Sequence, residues 1–131
     1  MGEKKGTIIP NNAYLHEHEY ATILYLTECG YDVEVILPSS EKGEKSPDIM
    51  MNGLIWEMKS PVGKGKWVIK NIMQKASHQS ENVIMDLRRL KHFPQGKYIK
   101  EVEYRFETIS RLKKLIIISK EQKIIEIEKK D

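Results

Sequence analysis

Two carboxylates and a lysine stand at chemically useful positions in the segment SPDIMMNGLIWEMKSP, residues 46–61. Asn52-Gly53 at its centre is the strongest two-residue signal for a β-hairpin, because both central positions of a type I′ turn need positive φ. A hairpin with this turn has four cross-strand pairs: Met51 with Leu54, Met50 with Ile55, Ile49 with Trp56, and Asp48 with Glu57. Lys59 lies two residues beyond Glu57 and therefore points to the same face of its strand.

The predicted pair of Asp48 and Glu57 suits a divalent cation. Opposed carboxylates repel each other across two strands, and Mg²⁺ or Mn²⁺, which prefer carboxylate, carbonyl and water ligands, would remove this penalty. Zn²⁺ is less favoured, because the chain has one cysteine and four scattered histidines. Lys59 beside the metal would hold a water or stabilise a phosphoryl oxyanion, so the three residues suit hydrolysis of a phosphodiester. The alternative is an edge hairpin whose charges are merely solvated.

The elements that must position these residues alternate between helices and strands. Hydrophobic periodicity predicts helices over residues 12–29, 67–80 and 98–111, the first capped by Asn11 or Asn12 and stopped by Gly30. Strands are predicted over residues 31–37, 47–51, 54–59, 82–87, 114–119 and 123–128, with a final hairpin turning near Glu121-Gln122. The order αβββαβαββ predicts an α/β protein with a mixed central β-sheet flanked by helices.

The length and composition suit one soluble domain, residues 1–131, with a core over 12–90 and a basic helix and hairpin over 95–129. No apolar run approaches the roughly 20 residues that span a membrane, and no signal peptide begins the chain, so we expect a cytoplasmic protein. Residues 1–59 carry a net charge of −5 and residues 60–131 a net charge of +8. The basic part would attract a polyanion such as nucleic acid, and a lysine-rich solvated surface is the alternative.

Pro47-Asp48, followed after the hairpin by Glu57-Met58-Lys59, resembles the signature of the PD-(D/E)XK, or restriction-endonuclease-like, nucleases. The resemblance implies catalytic Asp48, Glu57 and Lys59, with the carbonyl of Met58 as a further metal ligand. It also implies an acidic residue on the first helix. Glu19 matches that position through its spacing to Ile23, Leu26 and Gly30, and Glu17 is the competing candidate.

The segments PDIMMNGLIWEMKSP and NIMQKASHQSENVIMDL resemble, more specifically, the C-terminal nuclease domains of contact-dependent growth inhibition toxins. This resemblance covers roughly residues 12–90. It implies that Ser60, after the lysine, and Gln79, before the next strand, belong to the site. It also implies tRNA rather than DNA as substrate, an immunity protein as partner, and delivery into the cytoplasm of a target cell.

Further residues are candidates for contact with nucleic acid. Lys64 and Lys66 lie on a glycine-flexible loop, and Trp67 either stacks on a base or begins the next helix within the core. Arg88 and Arg89 would contact phosphates without reading sequence. Two other functions stay open: a dimeric DNA endonuclease of the restriction or Holliday-junction-resolving kind, and a non-catalytic nucleic-acid-binding or regulatory protein. A monomer would favour the toxin-like alternative.

Overall fold

The computed structural model describes residues 4–37, 48–63, 65, 67–91 and 94–130. Within these ranges the elements are β1 (Ile8–Ile9), α1 (Glu17–Glu28), β2 (Val33–Ile36), β3 (Asp48–Met51), β4 (Leu54–Lys59), α2 (Val68–Ser77), β5 (Asn82–Asp86), α3 (Gln95–Thr108), β6 (Lys114–Ile118) and β7 (Ile124–Glu128). The strands pair side by side in chain order into a seven-stranded sheet with parallel and antiparallel neighbours. The predicted α/β class and mixed sheet are therefore confirmed.

The observed order is βαβββαβαββ, which differs from the predicted order by the additional strand β1. This strand has two residues, paired in parallel with Val33 and Glu34. It is too short to show a periodicity in the sequence. The chain divides into two compact units, Met1–Trp56 and Glu57–Asp131. The boundary falls within β4, and the single domain expected from the sequence stays a prediction.

In the first unit, α1 buries Ile23 and Leu26. The helix contacts β1 and β2. It ends as predicted at Gly30, whose φ is 103°. The amide of Gly30 bonds to the Thr27 carbonyl at 3.0 Å and that of Tyr31 to the Leu26 carbonyl at 3.1 Å. These two bonds form a Schellman motif, which satisfies the last carbonyls of the helix.

The predicted start of the first helix is wrong. Asn11 and Asn12 do not cap α1, because both have positive φ, 52° and 58°, and form a turn four residues before the helix cap, His16. Asparagine tolerates this left-handed conformation better than most residues. The side chain of Asn11 instead donates to the Val35 carbonyl at 2.8 Å and to the Glu34 carboxylate at 3.2 Å. Asn11 therefore ties the segment before α1 to β2.

In the second unit, α2 and α3 bury their apolar faces in one core with β5 and β6. Ile69, Met73 and Ala76 of α2, which share one side of the helix, are buried there. Tyr98, Val102 and Phe106 supply the α3 side of the same core. Two strand residues of this core, Val83 and Leu115, are in register on neighbouring strands.

α3 begins at Gln95, three residues before the predicted start. The side chain of Gln95 donates to the Leu87 carbonyl at 3.3 Å and accepts from the Lys120 amide at 2.9 Å. These long-range bonds hold the first turn in place and are invisible to periodicity. The hairpin between β6 and β7 turns where predicted, with Gln122 at φ 61°. None of the described helices has the length and apolar character needed to cross a membrane.

Candidate active site

The β3–β4 hairpin has the register that its turn predicts. Asn52 and Gly53 have φ of 56° and 76°, as a type I′ turn requires. The three inner pairs are those predicted: Met51 with Leu54, Met50 with Ile55, and Ile49 with Trp56. The alternation of faces is also confirmed, because Ile49, Met51 and Trp56 are buried whereas Met50 and Ile55 are exposed. The fourth pair, Asp48 with Glu57, stays a prediction.

Asp48 begins β3 and is half-buried. Its neighbour on the other side is Ile36 at the end of β2. An open hollow of about 590 Å³ lies along this part of β2, lined by Asn11, Asn12, Glu34, Val35, Ile36 and Leu37. This hollow is not among the features predicted from the sequence. The two adjacent asparagines were an available signal for the left-handed turn at its rim, though not for the hollow itself.

Glu19 is buried in the first turn of α1, whereas Glu17 is exposed. Oε1 of Glu19 accepts a hydrogen bond from the backbone amide of His16 at 2.8 Å. This bond is one half of a capping box, and a carboxylate in the first turn also interacts favourably with the helix dipole. Glu19 therefore stabilises the start of the helix. Its assignment to the catalytic site stays a prediction.

Glu57 and Lys59 lie on one face of β4, in the second unit. Two rows of paired residues cross the neighbouring strands: Glu57–Val83–Leu115–Ile127 and Lys59–Met85–Ile117–Ile125. The apolar members of both rows contact the core formed with α2 and α3. The glutamate and the lysine therefore begin two apolar rows on the helix-covered face of the sheet.

The depths of these two side chains differ. Glu57 is 2% exposed, whereas Lys59 is half-buried. A carboxylate at that depth is stable when it is hydrogen-bonded, paired with a charge or bound to a metal. Met58 points to the other face of the sheet, where it is paired with Ile84 of the neighbouring strand, and its side chain is buried. Its backbone carbonyl as a metal ligand stays a prediction.

Ser60 and Arg89 are brought together, a contact that the sequence analysis did not predict. Nη1 of Arg89 donates to the Ser60 carbonyl at 3.1 Å, which ties the end of β4 to the segment after β5. The hydroxyl oxygen of Ser60 is buried and has no hydrogen-bond partner among the described residues. Arg89 thus holds the backbone next to Lys59, and its role as a phosphate contact stays a prediction.

Arg88 forms a forked ion pair with Asp86, whose side chain is buried. Nε donates to Oδ1 at 2.9 Å and Nη2 to Oδ2 at 2.7 Å. The same Oδ1 also accepts the backbone amide of Arg88 at 3.1 Å. Such bidentate pairs are among the strong hydrogen bonds of proteins. Two donors of the Arg88 guanidinium are therefore bound to the last residue of β5, and the role of Arg88 as a phosphate contact stays a prediction.

The remaining candidates lie around α2. Trp67 is the N-cap of α2, so it begins the helix, as the second alternative predicts. It is 50% exposed, so the burial in the core that this alternative also predicts is wrong. Stacking of Trp67 on a base stays a prediction. Gln79 follows the helix, just before β5, and is exposed. Lys64 and Lys66 lie outside the described residues.

Asp48 and Glu57 are side chains of the type that Mg²⁺ and Mn²⁺ prefer as ligands. Among the described residues, no group of three or more His, Cys, Asp or Glu side chains could hold a metal ion. Zinc sites usually need three or four such ligands. Magnesium is commonly held by one or two carboxylates and completed by water. Asp48 and Glu57 supply ligands of that kind, and the metal stays a prediction.

The fold and these residues define a class: small α/β proteins in which a tight β-hairpin carries carboxylates and a lysine. Within that class, the model of the family described as contact-dependent growth inhibition CdiA C-terminal domain matches residues 45–124, more than half of the chain. The protein belongs to this family. The matched range includes the whole β3–β4 hairpin and continues to the start of β7.

A solved structure supports the fold. The chain is similar to a chain of the CdiA-CT/CdiI toxin and immunity complex from Burkholderia pseudomallei, with a TM-score of 0.67 and 22% identity. The similarity covers 95% of this chain and 100% of the other. No curated protein matches the sequence.

Proposed function

We propose that this protein is the toxin domain of a contact-dependent growth inhibition system and that it is a metal-dependent nuclease. Its substrate would be RNA, with tRNA as first choice, after delivery into the cytoplasm of a target cell. The observation that carries the proposal is the β3–β4 hairpin, whose three inner pairs have the predicted register. Asp48, Glu57 and Lys59 flank these pairs in the order of the PD-(D/E)XK signature that the sequence resembles. Membership in the CdiA C-terminal family supports the toxin part.

In this proposal Asp48 and Glu57 hold Mg²⁺ or Mn²⁺, with Glu19 and the carbonyl of Met58 assisting. The bound ion would neutralise charge on the phosphate and acidify a water. Lys59 positions the attacking water through its ammonium protons and stabilises the charge that develops on the phosphoryl oxygens. Gln79, exposed after α2, would hydrogen-bond a substrate phosphate or orient Lys59.

An immunity protein is the expected partner of such a toxin. The similar solved structure is described as a toxin and immunity complex, which supports this expectation. The oligomeric state, monomer or homodimer, separates the candidate functions: a monomer in solution would favour the toxin-like nuclease, and a dimer would favour a DNA endonuclease.

A cleavage assay tests the proposal. Wild type, Asp48→Ala and Lys59→Ala are incubated with total tRNA and with plasmid DNA in Mg²⁺, Mn²⁺ and EDTA. Glu28→Ala and Lys120→Ala serve as matched controls, since both residues are exposed and lie outside the proposed site. We expect metal-dependent cleavage of tRNA by wild type and both controls, and a loss of at least about 100-fold in the two site variants.

The outcomes separate the alternatives. Cleavage of plasmid DNA without cleavage of tRNA would show that the protein is a DNA endonuclease and not a tRNase. Binding of nucleic acid without cleavage, unchanged in Asp48→Ala and Lys59→Ala, would support the non-catalytic alternative. Cleavage that persists in EDTA would refute the metal-dependent mechanism.

A further inference from the structure

The outward face of α2 carries an unbroken series of aromatic, basic and amide side chains. Trp67 caps the helix, and the following members recur at helical spacing: Lys70, Asn71, Gln74, Lys75 and His78. Lys70 is half-buried and the others are exposed. The opposite face is the one buried in the core. We call this series, together with Arg111, the α2 surface.

The charge of the α2 surface is of one sign. The helix Val68–Ser77 contains no acidic residue. At its far end Arg111 reaches His78, with Nη2 at 3.2 Å from Nε2. Within the part of the chain that the structure describes, Lys70, Lys75 and Arg111 are in no ion pair. Their charge therefore remains available to an anionic partner.

Trp67 adds a stacking platform to this charge. Its ring is half exposed, and Nζ of Lys70 lies 5.1 Å from the ring centroid. The lysine holds the ring by a cation–π contact. An exposed indole beside a lysine suits an unstacked base and its phosphate, because stacking on an aromatic ring tolerates any base.

The neighbouring helix provides a comparison. The exposed and half-buried positions of α3 mix Lys97 and Lys100 with Glu101, Glu103 and Glu107. Arg105 of α3 is paired with Glu101. A surface of this mixed kind has little net attraction for a polyanion. Lysine is therefore not spread evenly over the second unit, and α2 is distinctive in lacking carboxylates.

The α2 surface is long enough for a short segment of nucleic acid. From Trp67 to His78 the helix rises about 16 Å. The core residues of α2 contact the same face of the sheet on which Glu57 and Lys59 lie. The α2 surface is on the other side of the helix, so α2 itself lies between a strand bound there and these two residues.

We propose that the α2 surface binds a single-stranded segment of nucleic acid, with a base stacked on Trp67 and phosphates on Lys70, Lys75 and Arg111. The inference rests on the proposed nuclease function, for which it names the substrate-binding surface. Single strands are favoured over duplex, because stacking on Trp67 needs a base that is free of its own stack.

The test measures binding by the full chain in EDTA, where cleavage is blocked. A fluorescein-labelled single-stranded RNA of about 12 nucleotides is titrated between about 50 and 200 mM salt, with heparin as a second, base-free polyanion. The variants are Lys70→Gln/Lys75→Gln, Trp67→Ala and Trp67→Phe. The matched control is Lys100→Gln/Lys120→Gln, which removes the same charge from exposed positions outside α2.

We expect the α2 double variant to bind RNA at least about tenfold more weakly, with the slope of log K against log salt reduced by about 1.4, or about 0.7 per lost phosphate contact. Trp67→Ala should weaken RNA binding about tenfold without changing that slope or heparin binding. Trp67→Phe should retain most of the affinity. RNA should also quench the fluorescence of exposed Trp67, with buried Trp56 as constant background.

RNA binding that is equal in the α2 variants and the control would overturn the inference. Weakening of RNA and heparin alike by the double variant, with no effect of Trp67→Ala, would also refute it, because charge alone would then act. The inference would also be refuted if the α2 variants bound RNA like wild type but no longer bound an acidic protein, because the α2 surface would then be a protein-binding surface. The proposed nuclease can fail separately: wild type that binds RNA through α2 but cuts nothing would refute catalysis and leave this surface standing.

Discussion

Glu19 combines a structural contact with a predicted catalytic role, and the two can be separated at this one residue. Its bond to the His16 amide needs only a side-chain oxygen, which glutamine also supplies. A metal ligand in the proposed site needs the negative charge. Glu19→Gln should therefore lower metal-dependent cleavage at least about tenfold and shift the melting temperature by less than about 4 °C.

The matched control for this prediction is Glu17→Gln. Glu17 is on the same turn and exposed, and its variant should cut like wild type. Cleavage and thermal melting are measured on the same preparations. If Glu19→Gln were fully active, Glu19 would have no role in catalysis, and its role would be to cap the helix.

The forked pair of Arg88 and Asp86 should be a stabilising contact. Removing either partner deprives buried Asp86 or half-buried Arg88 of charge-assisted hydrogen bonds. We expect Asp86→Asn and Arg88→Gln each to lower the free energy of unfolding by about 1.5–3 kcal/mol. The double variant should lose much less than the sum, because the two changes remove the same interaction. Urea denaturation of the four proteins measures this, and strict additivity would contradict a direct coupling.

Residue by residue, sequence reasoning was able to predict pairs set by a local turn but not contacts set by tertiary structure. The three inner pairs of the β3–β4 hairpin follow from Asn52-Gly53 alone, because the turn type determines the register. The partners of Arg88 and Arg89 do not follow in this way. Ser60 and Arg89 are 29 positions apart, and no periodicity indicates which carbonyl a long flexible side chain will reach.

At the scale of elements, the hairpin turn depends on the backbone of Gly53. A Cβ at this position would meet no atom within 4 Å, but φ is +76°. The cost of Gly53→Ala is therefore conformational, about 1–2 kcal/mol of unfolding free energy. Gly96, in the first turn of α3, also has open space, and its φ is not positive. Gly96→Ala should be neutral or stabilise by about 0.5–1 kcal/mol.

Thermal or urea denaturation distinguishes these two glycine variants. If Gly53→Ala were as stable as wild type, the type I′ turn would not control the hairpin. Cleavage should fall in parallel with any loss of the hairpin, because the predicted position of Asp48 relative to Glu57 depends on that turn.

Elements with long apolar periodicity were predictable, and their ends were less so. All three helices and six of the seven described strands appear where the pattern predicts them. The start of α1 was misplaced because two asparagines took a left-handed turn in place of a cap. β1 was missed because two residues cannot show alternation, and it exists only through its pairing with β2.

At the scale of the whole molecule, the charge asymmetry and family membership lead to a prediction in cells. Induced expression of wild type in a host without the immunity protein should arrest growth. Asp48→Ala should relieve this arrest, whereas Glu28→Ala, an exposed change outside the site, should stay toxic at equal protein levels. Growth curves and the integrity of total tRNA are measured together. Well-tolerated expression of soluble wild type would contradict the toxin.

The last strand has a consequence for the behaviour of the protein in solution. Among the strands that the structure describes, β7 is the last of the sheet and has β6 as its neighbour, so its other backbone edge is unpaired there. Glu126 and Glu128 interrupt an otherwise all-isoleucine strand, and Glu128 pairs with Lys114 at 3.0 Å. Charges on an edge strand prevent sheets of different molecules from joining edge to edge. We therefore expect these two glutamates to keep a concentrated preparation, or a chain not yet fully folded, from aggregating through its own last strand.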